Sequence, residues 1–253
     1  MNSIRFKLAT AFHLCALKGW DNWTYTHISA REPGSTTFLM NPFNLLYKDI
    51  TPQSLVEIDM ERSVDSYQKP SIDTPVINPT GILIHSAIYK RRPDINAIFH
   101  LHTPYGVAVS CMEEGLLPMS QFALHFYKNI AIHPYDSLVL DEQTQTEQLA
   151  HDLADNYALL LQNHGTITTG KTIEEAFFFT HHLEEACRVQ CLTLSTGTRY
   201  HIPDKAICEK AAHDLLNFEK ERGLRDWTAA QTMIPLAVRN TWIHRKINER
   251  HFK

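Results

Sequence analysis

The chain has 253 residues, of which 43% are hydrophobic and 21% are charged, a balance typical of an ordinary globular protein. Its formal net charge is -4 and its basic residues are dispersed, so we expect no nucleic-acid partner. No segment approaches the roughly 18 apolar residues of a membrane span, and the N-terminus lacks the uninterrupted apolar core of a secretory signal. We therefore expect a cytoplasmic protein without membrane contact.

The first 60 residues predict one helix followed by short strands. Apolar residues recur at helical spacing from Ile4 to Lys18, and Gly19 ends the pattern. Strand-like segments follow at 25–29, 37–40 and 54–58. Pro-Gly and Asn-Pro turns separate them, which favours antiparallel pairing.

The rest of the chain alternates between helices and apolar strands before its character changes. We predict helices at 81–90, 141–156 and 172–195, the last after a stop at Gly170. A polar helix at about 204–222 and a tail rich in Arg and His follow. This change predicts a main domain over 1–197 and a C-terminal helix and tail over 198–253, which we interpret as an oligomer arm.

Two histidines lie together at the end of one predicted strand. The apolar run 95–102 is bounded by Arg92-Pro93-Asp94 before it and Thr103-Pro104 after it. Because alternate side chains of a strand share a face, His100 and His102 project the same way. That spacing suits two neighbouring ligands of one metal ion.

A third candidate ligand, His164, follows the apolar run 157–161 and precedes Gly165. Three neutral imidazoles leave a coordination position open, the usual catalytic arrangement for zinc. Imidazole also suits iron, nickel or cobalt, so the ligands alone do not name the metal. We expect zinc, with manganese, cobalt or iron as alternatives. With 15 His in the chain, an accidental His-x-His pair is the alternative, and a third histidine at a second strand end favours the metal site.

Residues 4–197 resemble the class II aldolase/adducin family, particularly its bacterial adducin-like branch. The motifs that carry the resemblance occur in the family's order and spacing, and are 26–31, 38–43, 84–88, 92–94, 100–103, 115–118 and 163–165. The resemblance implies a three-layer α/β/α sandwich around a mainly antiparallel sheet, commonly assembled as a homotetramer with sites between subunits. It also implies that His100, His102 and His164 bind the metal.

The chain departs from the family's aldolases at both proton-carrying positions. The carboxylate of those enzymes aligns with Gly81, and the tyrosine from the neighbouring subunit aligns with Phe122. Neither residue carries a transferable proton. The phosphate-binding positions fall near His27 and Asn44, whose larger side chains restrict close backbone approach, so a phosphorylated sugar is a less favoured substrate.

Four other residues are candidates for the missing roles. His85 shares a helix face with Gly81, and Tyr127 lies beyond the segment that would enter a neighbouring site, so both are candidate catalytic residues. The alternatives are a buried His85 bonded to backbone and a Tyr127 that only packs at the interface. We assign His27 and Asn41 to substrate binding, although His27 could instead cap a turn. We place the pair His181-His182 on a solvated helix face.

The leading hypothesis for function is a metal-dependent enzyme of the lyase type. It would perform aldol cleavage, epimerisation or decarboxylation of a small hydroxy-carbonyl compound through a metal-stabilised enediolate or enolate. One alternative is an Fe(II) oxygenase on the same scaffold. The other is a non-catalytic interaction protein, as in the adducin head domain.

Overall fold

A mixed seven-stranded sheet forms the middle layer of the fold, seen in a computed structural model that describes residues 3–67, 75–139 and 144–248. The strand order is β3-β2-β1-β4-β7-β6-β5. Only β5 and β6 pair in parallel within these ranges. The strands are β1 (His27–Ala30), β2 (Thr37–Met40), β3 (Val56–Asp59), β4 (Ala97–Leu101), β5 (Ile130–His133), β6 (Ala158–Leu161) and β7 (Gly165–Gly170).

Helices cover both faces of the sheet, and short 3-10 turns occur at Tyr47–Asp49, Val64–Tyr67 and Gln231–Met233. The helices are α1 (Ile4–Lys18), α2 (Pro79–Arg91), α3 (Pro104–Ser110), α4 (Gln121–Leu124), α5 (Thr144–Leu153), α6 (Ile173–Ser195), α7 (Lys205–Asn217), α8 (Leu224–Ala230) and α9 (Leu236–Asn248). None of the helices in the described ranges is long and apolar enough to cross a membrane.

The alternation of side chains along β4 divides the core into two layers. Phe99 and Leu101 face α1 and α6, where they join a buried apolar cluster. Ile98 faces the other side, in the cluster that α2 and α5 complete. His100 shares the face of Ile98 because side chains of a strand alternate. The predicted three-layer α/β/α arrangement around a mainly antiparallel sheet is confirmed.

Local chemistry explains most helix ends. Gly19 adopts φ 68° and its N–H bonds the carbonyl of Ala16, which ends α1 where the sequence predicted. Asn78 caps α2 by accepting from the N–H of Thr80. Helix α5 ends earlier than predicted, because Ala154 takes a left-handed φ of 46°. The predicted start of that helix at 141–143 lies outside the described residues.

The C-terminal segment packs on the same core as α1 and α6. The predicted helix to residue 222 is shorter, ending at Asn217, and a left-handed Gly223 with φ 79° begins α8. Trp227 packs edge-on against Phe177, with ring centroids 5.6 Å apart, and Trp242 packs near Phe6. The boundary at residue 197 and the role of an oligomer arm stay predictions.

Candidate metal centre

Five strands place histidines at one edge of the sheet. His102 directly follows β4, and antiparallel pairing of Leu101 with Thr166 brings it beside His164, which precedes β7. His27 begins β1 and pairs with His100. His133 ends β5, where it pairs with Leu161 near the end of β6.

The three predicted metal ligands converge through their Nε2 atoms. The Nε2 of His102 lies 3.1 Å from that of His100 and 2.9 Å from that of His164. Nitrogens bound tetrahedrally to zinc at about 2.0–2.1 Å lie about 3.3–3.4 Å apart, so His102 would open slightly from its two neighbours to admit the ion. All three ligand atoms lie within 4.8 Å of one another. Within the described ranges, these side chains form the cluster of His, Cys, Asp or Glu that could hold a metal. The donor set fits a divalent cation.

Contacts at the outer ring nitrogens orient two of these imidazoles. The Nδ1 of His100 donates to the carbonyl of Thr166 at 3.1 Å, which leaves its Nε2 unprotonated. The Nδ1 of His102 lies 3.4 Å from the amide nitrogen of Asn22, a donor, so this contact leaves the ring proton of His102 on Nε2. Turning the Asn22 amide over would present its oxygen to Nδ1 and free Nε2 of His102 for a metal, as the Thr166 carbonyl does for His100.

Burial keeps the three imidazoles neutral. It holds the pKa of His100 well below its usual value, and the neighbouring His27, His102 and His164 lower it further. Burial, then His164, lowers the pKa of His102 to about 4. Burial, then His133, lowers the pKa of His164. Because metals bind neutral imidazole, the site is in its ligating form at neutral pH.

A series of buried, hydrogen-bonded polar side chains runs from α2 towards the metal triad of His100, His102 and His164. The Nδ1 of His27 lies 2.8 Å from the Nε2 of His85, whose other ring nitrogen bonds the hydroxyl of Ser29. Ser29 in turn lies 2.8 Å from the hydroxyl of Tyr89. His85 is therefore held by side chains rather than by backbone, and His27 lies between it and the ligand His100. The catalytic role of His85 stays a prediction.

The ring of His27 occupies the space that a side chain at Gly81 would take. A Cβ built on Gly81 would lie 3.0 Å from both Cγ and Cδ2 of His27. His27 does not cap a turn, since it lies within β1, and its ring centroid is 4.8 Å from that of His100. A side chain at position 81 and the ring of His27 would therefore compete for the same space.

The side chain of Asn41 ties backbone segments together. Its Oδ1 accepts from the N–H of Ile28 at 3.4 Å, and its Nδ2 donates to the carbonyl of Thr26 at 3.4 Å. These contacts join the end of β2 to the start of β1, close to His27. Substrate binding by His27 and Asn41 stays a prediction.

Tyr127 precedes β5 at the edge of the sheet away from the triad. Ile130 pairs with Ala158, which pairs with Thr168, whereas His164 lies at the other end of these strands. Within one protomer Tyr127 is therefore distant from the metal ligands. Its predicted catalytic role concerns a neighbouring subunit's site and stays a prediction.

The prediction of a solvated face for His181 and His182 is wrong. Both are partly buried, because the ring of His182 packs 4.0 Å from that of Phe178 and 4.4 Å from that of His125, while Trp20 lies beside His181. Helix α4 and the loop after α1 cover this part of α6, which a helical pattern alone does not show.

His133 lies beside the candidate metal centre, and the sequence analysis did not single it out. Its side chain is buried, its Nδ1 lies 2.8 Å from Asp152 Oδ2, and it lines a small cavity together with His164. A signal existed, because His133 ends the apolar run 130–132 just as His102 ends its own strand. Placing that strand end beside the triad required the parallel pairing of β5 with β6.

Comparison with known proteins identifies the family. Residues 6–191 match the family model described as the class II aldolase and adducin N-terminal domain. This chain belongs to the class II aldolase/adducin family. The predicted family is therefore confirmed.

Relatives of both kinds named in that description are similar to the chain. An aldolase II superfamily protein from Pseudomonas syringae superposes with a TM-score of 0.80, at 38% identity over 90% of each chain. An L-fuculose 1-phosphate aldolase from Glaciozyma antarctica PI12 superposes with a TM-score of 0.77, at 26% identity over 91% of this chain and 87% of its own. Alpha-adducin of Rattus norvegicus is 37% identical over 77% of this chain, but over only 26% of its own length.

Proposed function

We propose that the chain is a metal-dependent enzyme of the lyase type that cleaves, epimerises or decarboxylates a small hydroxy-carbonyl compound. The observation that carries the proposal is the convergence of His100, His102 and His164 through three Nε2 atoms. A divalent cation bound there supplies a Lewis acid that polarises carbonyl and hydroxyl oxygens. We propose zinc, with manganese, cobalt or iron as the other metals that this ligand set accepts.

The chain's own residues supply orientation and polar contacts around the metal. Tyr89, Ser29 and His85 form a hydrogen-bonded chain that ends on the Nδ1 of His27. With Nδ1 occupied, Nε2 is the ring nitrogen of His27 that remains for a ligand. We propose that this nitrogen binds an oxygen of the substrate beside the metal ligands, since the ring of His27 packs against that of His100.

The reaction and the substrate differ from those of the sugar-phosphate aldolases in this proposal. The similar protein from Glaciozyma antarctica is named for L-fuculose 1-phosphate, which supports aldol cleavage as the reaction class. However, the phosphate-binding positions of those aldolases fall near His27 and Asn44, and the buried ring of His27 takes up space there. A compound without a phosphate group is therefore the substrate that we propose.

A non-catalytic interaction role is the second candidate, and the 37% identity with rat alpha-adducin favours it. Phe122 and Gly81 also lack the proton-carrying groups expected of the aldolases. The two candidates differ in what they require of the metal ligands. An enzyme needs all three, whereas a protein that acts only through its surface does not.

We also propose that the protein forms a homo-oligomer in the cytoplasm, with a tetramer as the assembly typical of the family. Large aromatic side chains lie exposed near the metal centre, among them Trp23, 74% exposed, directly after the metal-site neighbour Asn22. Exposed aromatic side chains are common in interfaces. Light scattering with size-exclusion chromatography would give the mass of the assembly.

The metal content of the purified protein tests the enzyme proposal. Protein prepared without added metal or chelator is expected to carry about one equivalent of divalent metal, measured by elemental analysis. The variant His100→Ala/His102→Ala should lose it and remain folded. The control His201→Ala/His213→Ala removes two exposed histidines outside the site and should retain it.

Each metal result directs a different activity screen. Zinc, manganese or cobalt leads to assays of aldehyde release, epimerisation and decarboxylation with small hydroxy-carbonyl compounds, whereas iron leads to oxygen-dependent assays. A protein that binds no metal even after reconstitution would contradict the enzyme proposal and favour the interaction role.

A further inference from the structure

His133 has a free ring nitrogen in a place where polar atoms usually have partners. His133 is only 5% exposed, and its Nε2 has no hydrogen-bond partner among the residues that the structure describes. Most buried polar atoms are hydrogen-bonded, so such an atom requires an explanation. An unpaired nitrogen that lines a cavity is suited to receive a ligand.

The bond to Asp152 determines what this nitrogen can do. Nδ1 of His133 lies 2.8 Å from Asp152 Oδ2, and Gln148 donates to the other oxygen at 2.6 Å. Burial alone would raise the pKa of Asp152, but the hydrogen bonds from His133, Gln148 and His151 outweigh it and hold that pKa below its usual value. An ionised carboxylate accepts the Nδ1 proton, which leaves Nε2 as a hydrogen-bond acceptor.

A small cavity of about 10 Å³, room for one group the size of a hydroxyl or a water, lies beside the metal centre. His133 and His164 both line it, with Gln162 and Asp136 among the other lining residues. Both histidines lie at the same end of the strands. His133 ends β5, which pairs in parallel with β6, and β6 leads into His164. The cavity is thus on the side of His164 opposite to the approach of His27 through β1 and β4.

We propose that this cavity is a subsite of the metal centre that binds a hydroxyl group of the bound compound. The hydroxyl donates a hydrogen bond to Nε2 of His133. The inference rests on the proposed function and adds to it the position of a ligand hydroxyl. Asp152 is a positioning residue in this arrangement, since it holds the ring and its tautomer. The competing explanation is that His133 and Asp152 only clamp β5 to α5.

Two hydroxamates distinguish these explanations. Acetohydroxamate and glycolohydroxamate chelate a metal through the same two oxygens, but only glycolohydroxamate carries a hydroxyl. Their dissociation constants are measured by titration calorimetry on the full chain loaded with Co²⁺, whose absorption spectrum reports the ligand set independently. We expect wild type to bind glycolohydroxamate about tenfold more tightly, the value of one good hydrogen bond.

The variant His133→Phe keeps an aromatic ring but removes the acceptor. It should bind both hydroxamates equally, with the affinity for acetohydroxamate and the Co²⁺ spectrum unchanged. The control His151→Phe also removes a histidine near Asp152, but one whose side chain is exposed, and it should retain the tenfold preference. Zinc-loaded wild type gives a further readout, because the ¹⁵N resonance of His133 Nε2 should shift with glycolohydroxamate and not with acetohydroxamate.

Several outcomes would overturn the inference. If wild type binds Co²⁺ but does not distinguish the hydroxamates, the subsite is absent while the metal centre stands. Retention of the preference in His133→Phe would assign the hydroxyl contact elsewhere, and a folded variant weakened equally for both ligands would indicate a structural clamp. If His133→Phe does not fold, the wild-type resonance decides. A chain that binds no metal removes the proposed function and this inference together.

Discussion

The contact between Gly81 and His27 predicts how Gly81→Ala changes the free energy of unfolding. The substitution should destabilise the protein when His27 is present and stabilise it when position 27 is alanine. An alanine Cβ would lie 3.0 Å from two ring carbons of His27 and 3.3 Å from Nδ1, where ordinary contacts begin at about 3.4 Å. The ring has little freedom to move away, because Nδ1 is bonded to His85 and the other side of the ring faces His100.

Two opposing contributions determine how Gly81→Ala changes the free energy of unfolding. One methyl group forced into a packed site costs about 1–3 kcal/mol. Replacing glycine by alanine within a helix returns about 0.5–1 kcal/mol. We therefore expect Gly81→Ala to destabilise wild type by about 1 kcal/mol. In a His27→Ala background the clash is gone, and the same substitution should stabilise by about 0.5–1 kcal/mol.

The measurement is a double-mutant cycle by urea unfolding in EDTA, followed by far-UV circular dichroism. The predicted coupling between positions 27 and 81 is about 2 kcal/mol. Ala87→Gly on the same helix is the control, since it reports the helix contribution alone and should have the same effect in both backgrounds. An effect of Gly81→Ala that is equal in sign and size with and without His27 would refute the packing argument.

Three further predictions concern the metal, the pH dependence and a buried amide. Metal at a thousand times its dissociation constant should raise the free energy of unfolding by about 4 kcal/mol in wild type and not in His164→Ala, measured by thermal unfolding with and without chelator. The pKa of His125 is lowered to about 4 by burial first and then by His182 and Arg222, so its neutral folded form loses stability as the pH falls from about 6.5 to 4. His125→Phe should therefore reduce the stability lost between pH 7 and pH 4 by about 3 kcal/mol in metal-free protein, and an unchanged loss would contradict this assignment. Gln190→Leu should destabilise the protein by about 3 kcal/mol. Gln190 accepts from the N–H of Leu117 at 2.7 Å and donates to the carbonyl of Gly115 at 2.8 Å, and leucine removes both hydrogen bonds. Denaturant unfolding measures this loss, with Gln190→Glu, which keeps the acceptor, as the comparison.

The convergence of the three histidines was predictable only in part from local periodicity. A strand places His100 and His102 on one face, whereas His164 joins them through the long-range antiparallel pairing of β4 with β7. The end of α1 was readable, since Gly19 ends that helix through its own backbone. Helix α2 begins at Pro79, two residues before the predicted start, because Asn78 caps it. Features set by neighbours in sequence are the ones that sequence reasoning recovers.

Features set by distant packing were not recovered. The contact of His27 with Gly81 joins residues 54 positions apart, and the sequence shows only a missing carboxylate at one position and a large side chain at the other. His133 lies beside the metal centre because β5 pairs in parallel with β6. The hydrophobic periodicity of the sequence did not predict β5 or its pairing. His181 and His182 look polar in a helical pattern, yet Trp20 and His125 cover them.

The chemistry of the triad bears on the choice between enzyme and interaction protein. The Nε2 atoms of His100 and His164 lie 3.1 and 2.9 Å from that of His102, an arrangement that needs a proton or a cation between the nitrogens. Burial lowers the pKa of all three imidazoles, so at neutral pH each ring is neutral and carries one proton, on one of its two nitrogens. A single proton on Nε2 of His102 serves one of the two contacts at a time, and burying polar groups that lack a full set of partners is costly. A divalent cation binds all three nitrogens at once, and this is why we favour the metal-dependent enzyme.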